Sequence, residues 1–184
     1  MLLFLVVFAE TGFVVTPFLP GDSLLFVAGT LAGGGFLNFF VVYWSLMAGA
    51  VIGDAVNYWI GHYFGRRVFS NSNSRIFKKE YLIKTEGFYD KYGAKAIVFA
   101  RFLPILRTFA PFVAGVGKME YKTFFYYNVI GAFLWVTLFS FLGYFFGGLQ
   151  YIQSNFHYAV IVIVVISLVP ALWEFAKYRH SEKM

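Results

Sequence analysis

The sequence predicts an all-α polytopic membrane protein. It would be an inverted repeat of two re-entrant helical hairpins, each followed by a long transmembrane helix, plus a C-terminal transmembrane helix. Three observations predict it. The 184 residues are 60% hydrophobic, 23% aromatic and only 13% charged, whereas a soluble domain carries about 25% charge. Two apolar stretches, PFLPGDSLLFVAG at 17–29 and ARFLPILRTFAPFVAG at 100–115, combine proline with formal charge. No Lys or Arg precedes Arg66, so the net charge of +6 arises wholly in the later loops and tail.

The elements follow in chain order. Residues 1–9 are apolar, but nine residues of helix rise only about 14 Å against a hydrocarbon core of about 30 Å. They are expected to form a half-helix or to continue sequence upstream. Residues 14–37 contain Pro17 and Pro20. Proline ends or kinks a helix and drives the preceding residue out of the helical region. Backbone freed in this way cannot face lipid, so it is tolerated only inside protein or beside a water-filled cavity. The stretch is therefore read as a re-entrant hairpin. Residues 38–64 are long enough to span with tilt. Residues 66–95 form the extended polar region, with eight Lys or Arg and three acids. Ser74 there could cap a short interfacial helix carrying Phe77, Tyr81, Phe88 and Tyr92 at near-helical spacing; a solvated helix packed on its own protein fits equally. Residues 96–117 are the second proline-broken hairpin, 123–147 a second long span, and 156–176 a third. The tail, 177–184, is basic.

Charge sets the orientation. Basic loops stay cytoplasmic, which places 66–95 and the C-terminal tail on that side. The uncharged linker 148–155 suits the outside. These assignments agree only if 96–117 returns to the side it entered, an argument for the hairpin that does not use its prolines. The halves, 1–65 and 96–147, also match. Pro20 and Pro104 lie 84 apart, Gly29 and Gly115 lie 86 apart, and the Gly-x-x-Phe-Gly of 61–65 recurs at 143–147, 82 residues on. An inverted repeat puts the expected site where the hairpin tips meet near the midplane. The whole chain, 1–184, reads as one membrane domain.

The composition excludes other classes. Cysteine is absent, so disulfides, zinc–thiolate sites and thiol catalysis are excluded. An excess of positive charge in the later loops and tail suits an anionic leaflet, not a nucleic acid. No signal peptide is expected, since no Lys or Arg precedes Arg66. No Gly-x-Ser-x-Gly elbow, Walker loop or His–Arg–Ser phosphatase set occurs, and His62, His157 and His180 share no metal-ligand spacing. No enzyme activity, metal or cofactor is expected.

Four segments carry a family resemblance. FAETGFVVTPFLPGDSLLFVAG (8–29), GDAVNYWIG (53–61), ARFLPILRTFAPFVAGVGKM (100–119) and YNVIGAFLWV (127–136) closely resemble the bacterial DedA family of the SNARE-associated Golgi (VTT) superfamily. The resemblance runs from about Leu3 to the tail. It implies a bacterial inner-membrane protein with two opposed re-entrant hairpins. It also implies movement of lipids across the bilayer, in particular recycling of undecaprenyl phosphate, and a role in proton-motive-force homeostasis. Eukaryotic relatives are lipid scramblases. The family's functional acids match Glu10 and Asp22, and its functional arginines match Arg101 and Arg107. The departure is at the N-terminus, where the family carries a few tens of residues, including a helix, before the Glu-x-Gly motif.

The residues themselves suggest the same chemistry. A charge at membrane depth is costly unless paired. Arg101 and Arg107 are six apart around Pro104, and a guanidinium fork suits bidentate binding of phosphate. They are read as a lipid-phosphate clamp; structural pairing with Glu10 or Asp22 is the alternative, and the two are compatible. Glu10 and Asp22 are the candidate proton carriers, although Asp22 also fits a helix cap after Pro20 and Gly21. Asp54 and Asn57, one helical turn apart, are a candidate site acid and its neighbour, or structural hydrogen-bonders to re-entrant backbone. Asn128 and Trp135 are expected to bond and pack against the second hairpin, and Gly115 to permit close helix approach. The predicted function is a proton-linked lipid-phosphate transporter whose partners are membrane lipids and protons. A proton-coupled antiporter of small ions or drugs is the alternative. The oligomeric state stays open.

Overall fold

A computed structural model describes residues 1–13, 21–69, 79–147 and 149. Pro20, the tip 14–20, the segment 70–78, the linker apart from Leu149, the expected helix 156–176 and the tail 177–184 lie outside the described residues. Among those described the regular structure is all helical. The elements are α1 (Leu2–Gly12), α2 (Gly21–Gly33), α3 (Phe39–Phe69), α4 (Lys79–Tyr92), a 3-10 turn (Gly93–Lys95), α5 (Ala96–Ala100), α6 (Pro104–Val116) and α7 (Tyr121–Gly147).

Local chemistry sets the boundaries. Asp22 sits in the first turn of α2, where a carboxylate complements the helix dipole. At the other end, the Phe36 N–H reaches back to the Leu31 carbonyl (2.9 Å) while Gly35 adopts φ +82. This is a Schellman closure, and the left-handed position is open to glycine at no steric cost. The Asn38 side chain accepts the Val41 N–H (3.2 Å) and so caps α3. The second break is the one the prolines predict. Leu103 is extended (φ −116, ψ 110) and Pro104 opens α6, because the residue before proline avoids the helical region while proline itself suits the first turn. α5 and α6 are thus separate helices joined through residues 101–103. Phe39–Phe64 and Tyr121–Gly147 are both long and apolar enough to cross a membrane.

The chain divides into two compact units that alternate along the sequence. The first comprises Met1–Pro17 and Trp44–Thr137. In it α1 lies on α3 at Gly49 and Gly53: a methyl on Gly49 would come within 2.9 Å of the Phe4 carbonyl, and one on Gly53 would strike the Thr11 side chain. α6 lies on the later part of α3, where a methyl on Gly61 would strike the Phe112 carbonyl and one on Gly115 the Tyr58 carbonyl. Tyr58, Ile97, Ala114 and Phe124 form the apolar centre beside this seam.

The second unit comprises Phe18–Tyr43 and Leu138–Met184. In it α2 lies on the end of α7 through the same device. A methyl on Gly29 would strike the Ser140 carbonyl, and one on Gly143 the Phe26 carbonyl. The Phe39 ring packs edge-on against Phe141 (5.0 Å) and Tyr144 (4.9 Å).

The two seams correspond residue for residue. Gly115 meets Tyr58 and His62, and Gly29 meets Ser140 and Tyr144; both partners lie 82 residues on. Gly61 meets Phe112 and Gly143 meets Phe26, 86 residues apart like the glycines of the two half-helices. The spacings of the sequence repeat are therefore the spacings of its packing contacts. Each proline-broken half-helix rests on the long helix of the other half.

Candidate functional site

The first unit holds four charged side chains away from solvent: Glu10, Asp54, Arg101 and Arg107 are 0%, 1%, 2% and 4% exposed. Each comes from a different element. Glu10 lies near the end of α1, Asp54 midway along α3, Arg101 in the turn after α5, and Arg107 in the first turn of α6. The break at residues 101–103 lets two arginines six positions apart face inward from either side of a helix end. An unbroken helix would not hold them so.

Burial requires pairing, and two ion pairs supply it. Arg107 Nη2 donates to Glu10 Oε1, and Arg101 Nη2 donates to Asp54 Oδ2. The same Arg101 nitrogen also donates to Asn128 Oδ1 on α7, and the Asn128 amide in turn donates to the Val51 carbonyl (3.0 Å). Asn128 thus ties Arg101 to α3. The Arg107 guanidinium lies 5.0 Å from the centre of the buried Trp135 ring, a cation–π contact strengthened by exclusion of water. Both pairs lie in the first unit. Two positive and two negative charges leave the cluster formally neutral.

Backbone at the site is held by Asn57. Its amide donates to the Thr11 carbonyl (3.0 Å) and to the Thr108 carbonyl (2.8 Å). Those residues directly follow Glu10 and Arg107, so one side chain fixes the spacing of the ion pair it lies beside. Pro111 lies inside α6 and has no N–H for the Arg107 carbonyl. From α4 the Tyr89 hydroxyl donates to the Ala110 carbonyl (2.9 Å). Several polar atoms have no hydrogen-bond partner among the described residues: Arg101 Nε and Nη1, Asp54 Oδ1 and Asn57 Oδ1.

The structure brings together Glu10, Asp54, Asn57, Arg101, Arg107, Asn128 and Trp135. Pro104 opens α6 beside them, and Gly115 lies in the seam between α6 and α3. Gly21 and Asp22 begin α2 in the second unit, and Pro20 lies outside the described residues. Of the two readings left open for this turn of α3, Asp54 pairs directly with Arg101, and the hydrogen bonds to backbone of α1 and α6 are made by Asn57. Sequence reasoning did not single out Thr11, Thr108 or Tyr89, because a threonine lending its carbonyl leaves no pattern in the sequence.

With this geometry in place, known proteins can be compared. The family model for the VTT domain matches residues 19–145. The DedA protein of Escherichia coli (strain K12) is 53% identical over 182 residues, covering 98% of this chain and 83% of its own. A membrane protein of Mycobacterium tuberculosis (strain ATCC 25618 / H37Rv), described as uncharacterized, is 38% identical over 181 residues, covering 97% of this chain and 79% of its own. The inner membrane protein YghB of Escherichia coli (strain K12) is 30% identical over 142 residues, covering 77% and 65%. No solved structure matches the chain significantly.

Proposed function

This chain belongs to the VTT-domain family that includes DedA, and on that premise we propose that it moves a lipid phosphate across the bilayer. It is a membrane protein, as two of these relatives are named and as its two long apolar helices suit. The substrate class is a polyprenyl phosphate such as undecaprenyl phosphate, or a glycerophospholipid. The lipid enters laterally, its headgroup is taken by Arg101 and Arg107, and its chains stay in the bilayer. Glu10 and Asp22 exchange protons or counterions. The membrane is the bacterial inner membrane, with 66–95 and the C-terminus in the cytoplasm. The broken stretches 14–37 and 96–117 are re-entrant hairpins in this reading.

One observation carries the proposal. Two buried arginines flank a helix break, and each is held by a carboxylate. A permanent structural bridge would be replaceable by apolar packing at little cost. Two of them beside a helix break suit a site in which a carboxylate holds each arginine until a phosphate replaces it. The neutral cluster also suits the second reading, a proton-coupled antiporter of small ions or drugs with the arginines as internal counterions. Headgroup flipping in proteoliposomes, measured with a panel of lipid phosphates and neutral lipids, tests the choice. Flipping confined to phosphate lipids is expected. Proton-driven release of small cations without any flipping would favour the antiporter.

A further inference from the structure

We propose that Asp54 is a proton-exchanging carboxylate of the same site, neutralised when a phosphate takes Arg101. The inference rests on the lipid-phosphate reading above and extends it to the coupling of protons to substrate charge. It starts from the Arg101 hydrogen bonds. A guanidinium presents two bidentate edges, Nε with Nη2 and Nη1 with Nη2, and both use Nη2. In Arg101 that nitrogen already donates to two acceptors, Asp54 and Asn128, while Nε and Nη1 have no partner among the described residues. One hydrogen of Nη2 lies on each edge. A phosphate can therefore fork onto Arg101 only by replacing the carboxylate or the amide.

Charge decides which one yields. The Asn128 amide is neutral and anchored by its own bond to Val51. Asp54 is an anion, and a phosphate oxygen beside it would be a second buried anion. Like charges in a water-poor site do not both stay ionised. Among the described residues, the charged and titratable groups that act on Asp54 are the Arg101 and Arg107 guanidiniums and the Tyr89 phenol from α4, with Asn57 a turn away on α3. Once the phosphate neutralises the arginines, a proton from water on one Asp54 oxygen restores the balance. The neutral carboxyl then becomes a donor toward the phosphate. Glu10 stands to Arg107 as Asp54 does to Arg101, so proton count should follow substrate charge. A phosphomonoester dianion replaces both carboxylates, and a phosphodiester monoanion replaces one.

The test measures proton uptake at pH 8 on binding to the full chain in nanodiscs. The probes are a farnesyl monophosphate and phosphatidylglycerol. The monophosphate should take up one more proton per molecule bound than the diester. Asp54→Asn should lower uptake with the monophosphate by one proton. The paired variant Asp54→Asn with Arg101→Gln, which leaves no unpaired buried charge, serves if the single variant does not fold, and it should show the same loss with weaker binding. Unchanged uptake in a variant that still binds the lipid overturns the inference while leaving the clamp intact. Equal uptake with the two lipids by the unmodified protein also overturns it. If the unmodified protein binds neither probe, the lipid-phosphate reading fails and this inference fails with it.

Discussion

Arg107 is the residue on which the clamp and counterion readings diverge most sharply. It bonds Glu10 and stacks near Trp135, so lysine at this place would keep the charge but lose the fork and the planar stack. A hydrogen bond to a charged group contributes about 1.5–3 kcal/mol. Losing one arm of a bidentate contact should therefore slow lipid flipping about 10–100-fold. Arg107→Lys is expected to approach Arg107→Ala in rate, with both compared at equal membrane abundance. Near-normal flipping in the lysine variant would mean that a point charge suffices and would favour the counterion reading. Much of this site was readable from the residues alone, because charge inside an apolar stretch is conspicuous. Glu10, Arg101, Arg107 and Asp54 all stand out on that ground. Their pairing was not readable. The sequence offers two acids near the first break and a third on α3, and only the packing of α3 against the turn after α5 assigns Asp54 to Arg101. Asn57 was visible as a polar residue one turn from Asp54. Its two carbonyl partners come from α1 and α6, and no local pattern reveals them.

At the scale of elements, glycine does what large side chains cannot. Bilayer-embedded helices gain little from the hydrophobic effect on one another and rely on close backbone approach. The seams at Gly61 with Gly115 and at Gly29 with Gly143 put backbone against backbone, where an added methyl meets a carbonyl that cannot move aside. Overpacking of this kind costs about 1–3 kcal/mol. Gly61→Ala and Gly143→Ala should each lower the thermal midpoint in detergent, and by similar amounts because their surroundings correspond. Gly87→Ala in α4 is the control: nothing lies within 4 Å of the added methyl, and helix propensity favours alanine by about 1 kcal/mol. Its midpoint should hold or rise. Equal midpoints for all three variants would show that the seams tolerate separation. The second proline break was legible because Pro104 disfavours a helical Leu103. The partner of each half-helix was not. Spacing reveals that two glycine motifs repeat, but that α6 rests on α3 and α2 on α7 follows only from the fold.

For the whole molecule, sidedness is an expectation that rests on the distribution of charge along the sequence. In the second unit the start of α3 packs beside the end of α7, Phe39 against Phe141 and Tyr144. In the first unit the later part of α3 packs beside the start of α7, with Tyr58 stacked on Phe124 at 4.5 Å. The charges sort by these ends. Arg66 and Arg67 close α3, and Lys118 and Lys122 flank the start of α7, whereas 34–38 and 147–149 carry no charge. Basic residues near span ends are held in the cytoplasm, so the expected arrangement has residues 34–38 outside and α4 inside. The chain has no cysteine, which makes single-cysteine labelling direct. Leu37 is 39% exposed at the uncharged end, and Glu86 is exposed on α4. In intact cells a membrane-impermeant maleimide should label Leu37→Cys and spare Glu86→Cys until the membrane is permeabilised. The reversed pattern would invert the orientation. Labelling of both from outside would be the more serious result, because Phe39–Phe64 could then not be a single crossing, and the site built on its middle turn at Asp54 would no longer lie at membrane depth.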